Sequence, residues 1–315
     1  MAKEILSVVL PSYNEEKNLP LVYAELKKVI DTKRFDYEII FINDGSKDNT
    51  WGVIERLAAK DGHVRGVNFS RNCGHAAALE AGLVRAEGDI VVMMDADLQH
   101  PPTLIPRLIA SFDKGYDIVN TVRLATEGTG FMKRLTSKGF YWFINGVSEL
   151  KLREGEADYR LLSRKALDAL NALPETPKFY RGLVNWIGFD VDRVEYKAAS
   201  RIHGKSSYTL KKMLELARMG VTSFSMKPLK IIFTIGVMLT VVAFLLLIAM
   251  LIIKFFINTE LISYNAILTD GLLLVTGVLT IFQGVIALYL VDIFNTTKGR
   301  PTYIVKSEAN PRDQR

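Results

Sequence analysis

The sequence has few of the residues that staple or coordinate. Its 315 residues include one cysteine, Cys73, and four histidines, which excludes a disulfide scaffold and suits a reducing compartment. No His/Cys grouping has the spacing of a zinc site. No GxGxxG follows the first apolar run, and no GxxxxGK followed by Ser or Thr occurs, so neither a dinucleotide fingerprint nor a P-loop is present. The stretch before Pro11 is too short for a secretory leader and lacks its small-residue cleavage site, so the first domain is expected to stay in the cytoplasm. A hydrophobic content of 49% excludes a disordered chain. The net charge of +6 is too modest to indicate nucleic acid.

What is present is unevenly distributed. Residues 1–205 read as a globular domain, whereas 229–293 are nearly unbroken hydrocarbon. Within the latter, 231–253 and 271–291 each reach the ~20 residues that cross a ~30 Å hydrocarbon core. They predict two transmembrane helices, the second interrupted by Gln283. Lys227, Lys230, Lys298, Arg300 and Lys306 flank the pair, whereas the connection between the runs offers one lysine, Lys254, and one glutamate, Glu260. The first domain and both termini are therefore expected on the cytoplasmic side of an inner or plasma membrane. In 206–228, Leu210, Met213, Leu214 and Ala217 recur at helical spacing with Lys211, Lys212 and Arg218 between them. That pattern predicts an amphipathic interfacial helix, with a buried core helix as the other reading. Residues 294–315 would form a cytoplasmic tail.

In the first domain, short β-branched runs at 5–10, 37–43, 64–69, 90–95 and 118–121 alternate with helical patterns at 19–30, 50–59, 75–85 and 103–112. Such alternation predicts a mostly parallel, doubly wound sheet. Ligands of these sheets bind beyond the carboxyl ends of the strands. Successive strand ends carry Pro11-Ser12-Tyr13-Asn14-Glu15, Asn43-Asp44-Gly45-Ser46, Ser70-Arg71-Asn72-Cys73-Gly74-His75 and Asp95-Ala96-Asp97-Leu98-Gln99. On an extended chain, Asp95, Asp97 and Gln99 share a face and offer hard oxygens to Mg²⁺ or Mn²⁺. The competing reading is that the aspartates cap the next helix.

With these motifs in order, the stretches VVLPSYNEEKNL, IIFINDGSKDNT, FSRNCGHAAAL, MMDADLQHPP and ADYRLLSR resemble the family 2 glycosyltransferases of GT-A fold. RIHGKSSYTLKKMLELARMGVTSFS followed by the two apolar runs resembles more narrowly the polyprenyl-phosphate glycosyltransferases, such as the bactoprenol glucosyltransferases and dolichyl-phosphate mannose synthase. The resemblance covers about the first 210 residues and implies a Rossmann-like GT-A catalytic domain followed by a two-helix anchor. It implies a nucleotide pocket bordered by Pro11, Tyr13, Glu15, Asp44 and Asp95, and a divalent metal held by Asp95, Asp97 and Gln99. Asp97, Asp158, Arg123 and Arg134 are the implied catalytic residues, and Arg201 and Lys205 the implied contacts for an acceptor phosphate. The chain departs from the family's Asp-Asp-Gly-Ser at Asn43, and has Cys73 where an aromatic is usual.

The activity so implied is inverting transfer of one sugar, glucose from UDP-glucose, to undecaprenyl phosphate at the cytoplasmic face. Membrane lipid and further copies of the chain are the other implied partners. Mannosyl or aminoarabinosyl transfer is the alternative within the class, and a nonenzymatic sugar-nucleotide-binding scaffold is the alternative outside it. A processive synthase is disfavoured, because two spans are few and no QxxRW motif occurs. For Asp158 the resemblance leaves open a base, a residue that positions a sugar hydroxyl, and a structural ion pair with Arg160 or Arg164.

Overall fold

The computed structural model describes residues 4–30, 34–124, 155–175, 178–197 and 264–311, together with 234, 238, 241, 242 and 245. Strand β1 (Ile5–Ser12) is buried along almost its whole length. Its continuous apolar run suits a strand covered on both faces, as parallel sheets require. It pairs in parallel with β2 (Asp36–Asn43) on one side and β4 (Ile90–Met93) on the other, and β3 (Val64–Phe69) lies parallel beyond β2. Helices α1 (Leu19–Ile30), α2 (Thr50–Lys60) and α3 (His75–Arg85) make the crossovers. A 3-10 turn at Pro102–Leu104 leads into α4 (Ile105–Phe112).

The second half departs from the simple alternation. Strand β6 (Glu156–Ser163) inserts antiparallel between β4 and β5 (Ile118–Arg123), and β7 (Val191–Tyr196) adds parallel to β5. Helices α5 (Arg164–Asn171) and α6 (Tyr180–Trp186) cover this half. With a last strand, β8 (Val305–Ala309), the full order is β7-β5-β6-β4-β1-β2-β3-β8, an α/β mixed sheet whose pairs are parallel except at β6 and β8. One core lies under α1, α2 and α4 and includes Leu26, Phe41, Leu108 and Tyr159. The other lies under α3, α5 and α6 and includes Ile42, Leu79, Leu167 and Leu183.

The C-terminal segment, expected as a tail, contains the edge strand β8 (Val305–Ala309), paired antiparallel with β3. Tyr303 stacks on Phe69 with ring centroids 4.8 Å apart, and Arg85 meets Glu308 at 2.9 Å. Asn310 donates to the carbonyls of Gly62 and Val64. Without this strand, β3 would present an unpaired apolar edge.

Among the described residues, no helix is long and apolar enough to cross a membrane. The expectation of two spans in an inner or plasma membrane, with the catalytic domain and termini on its cytoplasmic side, is corrected by that finding. Crossing hydrocarbon requires about 20 predominantly apolar residues on one helix, and a hydropathy run in sequence does not by itself establish such a helix. Most of 231–253 lies outside the described residues, as does all of 206–228. The run 271–291 is part of a longer helix, α7 (Tyr264–Thr297), which includes Asp270, Gln283 and Asp292.

Close approach of α3 to the sheet depends on Gly82, where an added Cβ would lie 2.3 Å from Cγ1 of Val9. Gly82→Ala is expected to lower the unfolding free energy by about 1–3 kcal/mol through overpacking. Urea denaturation followed by circular dichroism measures this, and wild-type stability would show that the helix can shift freely.

Candidate active site

The polar loops leave the sheet at one edge because β1, β2, β3 and β4 run in the same direction. The loop after β1 is tied to the loop after β2 by side chain to backbone bonds. Asn14 N donates to Ser46 Oγ at 2.9 Å, Lys47 N to Asn14 Oδ1 at 2.8 Å, and Glu15 N to Thr50 Oγ1 at 2.8 Å. Tyr13 is exposed at this edge, whereas Pro11 is buried within β1 opposite Ile42. The Glu15 carboxylate accepts from Asn18 Nδ2, and the Glu15 carbonyl accepts the first free amides before α1, those of Asn18 and Leu19.

Asp44 is buried, and its carboxylate reaches the third loop. Oδ1 accepts from Cys73 N at 2.6 Å and Oδ2 from Gly74 N at 3.0 Å. Burial pushes its carboxyl above the ordinary value, and these two amides oppose that shift. Gly45, at φ +60°, lies so close below the third loop that a Cβ would sit 2.3 Å from the Arg71 carbonyl carbon. Both its backbone conformation and the space there require glycine. Asn43, the departure from an acidic pair, uses both ends of its amide: Nδ2 donates to Asn68 Oδ1 at 2.8 Å, and Oδ1 accepts from Ser46 N at 3.2 Å. Asn68 in turn donates to Ser307 Oγ on β8.

The fourth loop differs from its expected form. Strand β4 ends at Met93, and Leu98 takes a left-handed conformation at φ +60°, so alternation along an extended chain does not place Asp95, Asp97 and Gln99 on one face. A turn does the work instead, with Gln99 N donating to Asp97 Oδ1 at 3.1 Å. Asp97 is buried, whereas the Asp95 side chain is partly exposed, 3.8 Å from His75 Nε2. Asp95 N donates to His100 Nδ1, which puts the ring proton of His100 on Nε2. His100 stacks on Tyr159, and Tyr159 donates to the Pro101 carbonyl at 3.0 Å.

From β5, Arg123 Nη1 donates to Gln99 Oε1 at 3.4 Å. Arg123 pairs in register with Tyr196, whose hydroxyl is pushed up to about 12 by burial, against the pull of Arg123 and with the support of Asp95, Asp97 and Asp158. Among the described residues, no three His, Cys, Asp or Glu side chains form a group able to hold a metal ion. Asp95, Asp97 and Gln99 each carry oxygens of the hard kind that Mg²⁺ and Mn²⁺ prefer. Arg134, Arg201 and Lys205 lie outside the described residues.

Asp158, on β6, pairs neither mainly with Arg160 nor with Arg164. Arg181 from α6 grips it, Nε to Oδ1 at 2.9 Å and Nη2 to Oδ2 at 2.7 Å. Arg160 Nη2 stands 3.6 Å away and donates to the Ala157 carbonyl. Burial alone would raise the Asp158 carboxyl, but Arg181, with Arg160 and His75, outweighs it and holds the group well below the usual carboxylate range. Sequence reasoning missed Arg181, whose one local signal is that it is the single charge in the helix YRGLVNW.

The glycosyl transferase family 2 profile matches residues 7–170, which include all four loops and Asp158. The chain belongs to glycosyl transferase family 2. This glycosyltransferase is 37% identical over 309 residues to the uncharacterized glycosyltransferase YkcC of Bacillus subtilis, covering 98% of this chain and 95% of that one. It is 38% identical over 303 residues to the bactoprenol glucosyl transferase of Shigella phage SfV, covering 96% of this chain and 98% of that one. A mycobacterial protein of known crystal structure shares the fold, with a TM-score of 0.50 and 21% identity over 70% of this chain and 73% of that one.

Asp44→Ala would leave the Cys73 and Gly74 amides without their acceptor, at a cost of about 1–3 kcal/mol. Hydrogen exchange at those two amides is expected to accelerate, and unchanged exchange would show that the carboxylate does not hold the loop.

Proposed function

We propose that this glycosyltransferase moves one sugar, glucose from UDP-glucose, onto undecaprenyl phosphate with inversion of the anomeric centre. The observation that carries the reading is the likeness to the phage SfV bactoprenol glucosyl transferase, which extends over 98% of that protein. The chemistry of the sheet edge is consistent with it. A phosphate monoester, with a second pKa of about 6, is mostly dianionic at neutral pH and needs little help from a base. One of its oxygens bonds to the anomeric carbon as the bond from that carbon to the diphosphate oxygen breaks. The nucleoside diphosphate departs with the electron pair, and attack from the opposite side inverts the centre.

Charge accumulates on the departing diphosphate, and the chain supplies cations there. Arg123 stands beside Gln99, where its guanidinium can pair with a phosphate oxygen. Asp95, Asp97 and Gln99 would hold Mg²⁺ or Mn²⁺, which when bound neutralises diphosphate charge. Tyr13, Glu15 and Asp44 border the nucleotide, with Pro11 shaping the strand beneath. Arg134, Arg201 and Lys205 are assigned to phosphate binding on their match to the family pattern. Asp158, held ionised, serves as a hydrogen-bond acceptor for a sugar hydroxyl.

The test is to incubate the full-length protein with undecaprenyl phosphate and a panel of labelled sugar nucleotides in Mg²⁺, Mn²⁺ or EDTA, following label into organic-extractable lipid. Metal-dependent transfer from UDP-glucose is expected. Transfer from another donor would correct the sugar, and transfer undiminished by EDTA would defeat the metal assignment. Asp97→Asn should lower turnover by about 100-fold or more while circular dichroism remains that of the wild type.

A further inference from the structure

The Asp158–Arg181 pair is built in a way that an incidental ion pair is not. Both carboxylate oxygens are engaged side-on by one guanidinium, at 2.9 and 2.7 Å. This bidentate geometry fixes the plane of the carboxylate as well as its charge. The base of the fork is itself anchored. Tyr180, Leu183 and Val184 of α6 are buried in the core, and Asn185 Nδ2 donates to the Arg181 carbonyl at 3.0 Å. Asp158 is anchored independently through β6, whose next residues pair with both β4 and β5.

The fork also leaves the carboxylate able to work. Each oxygen of an ionised carboxylate has about two acceptor sites, of which the fork uses one. The charge of Asp158 is felt by Arg181 from α6, Arg160 from its own strand, His75 from α3 and, from β7, Tyr196. His75 connects the pair to the reacting edge, since its Nε2 lies 3.8 Å from Asp95 Oδ1.

We infer that Arg181 is the positioning residue for Asp158, holding the carboxylate in one orientation so that it accepts a hydrogen bond from a hydroxyl of the transferred sugar instead of taking a proton from the acceptor phosphate. Arg181 acts through Asp158 and need not touch substrate. The role presupposes the glycosyl transfer proposed above.

Two measurements on the full-length protein test it. The first is the ¹³C carboxyl signal of Asp158 in protein labelled at aspartate carboxyl carbons and assigned with Asp158→Asn. In the wild type the signal should stay that of the ionised form from pH 8 down to about 4, the ordinary aspartate range. In Arg181→Gln it should titrate inside that window, because burial is no longer outweighed. An unchanged signal would overturn the positioning role, whatever reaction the protein performs. The second is turnover. Arg181→Gln should reduce kcat by about 10- to 100-fold, the scale of a misplaced catalytic group, with KM for the nucleotide sugar changed by less than about threefold. Arg181→Lys, which keeps the charge but cannot fork, should recover only part of the loss. Adding Arg181→Gln to Asp158→Asn should cost little beyond Asp158→Asn alone, since the two side chains act as one unit. Full activity in Arg181→Lys, or multiplicative losses in the double variant, would overturn the role. Should Arg181→Gln fail to fold, Arg181→Lys carries the turnover measurement. Should the wild type transfer no sugar at all, the transferase reading falls, and with it the hydroxyl-accepting role, while the carboxyl titration still judges the fork.

Discussion

Because β1 is hydrogen-bonded between β2 and β4, with all three strands parallel, Ser12 pairs with Asn43 and Val9 with Met93, and the chain leaves all three strands at one edge. That register governs the site. A slip of one residue would turn every side chain of a strand to the other face. The ties between loops, from Asn14 to Ser46 and from Asp44 to Cys73 and Gly74, would then have no partners within reach. The loops are short because the parallel strands already bring their ends together. They hold shape through backbone amides donated to neighbouring side chains, with little apolar packing of their own.

The two faces of the sheet near this edge carry different chemistry. Alternation along β6 sends Tyr159 into the core under α1, α2 and α4, where it meets His100 and Tyr196 in an aromatic cluster behind the Asp95–Gln99 turn. The same alternation sends Asp158 and Arg160 to the opposite face, toward α3 and α6. Arg160 is only 1% exposed, and its Nε and Nη1 have no hydrogen-bond partner, nor do the side-chain atoms of Asn120, its register partner on β5. A buried guanidinium with open donors is costly, and this one lies 3.6 Å from Asp158. The Arg181 fork limits that cost for Asp158 but not for Arg160.

Much of the first half of the fold was legible. Runs at 64–69, 19–30 and 75–85 coincide with β3, α1 and α3, because each has a clean period bounded by turn residues. The four loops were legible for the same reason. The antiparallel insertion of β6 between β4 and β5 was not, since both neighbours are distant in sequence and no local pattern names a strand's partner. Nor was β8, whose five residues VKSEA carry too few apolar positions to stand out until β3 offers an open edge. The apolar runs beyond residue 229 have the hydropathy and flanking charges of membrane spans. Hydropathy records which residues are apolar, but not how far a helix runs beyond them, and the second run is part of a 34-residue helix that also takes in Asp270 and Asp292.

By itself the sequence determined which chemical groups stand where strands end: carboxylates at Asp95 and Asp97, an acid at Asp44, a guanidinium at Arg123. Local periodicity and turn chemistry act over a few residues and are therefore written in the residues themselves. The tertiary structure decided which of those groups meet. Arg181 reaches Asp158 across 23 positions, and Ser307 reaches Asn68 across 239. Contacts of that separation follow from strand order and helix docking, which arise from burial of the whole apolar surface and are specified by no short stretch of chain.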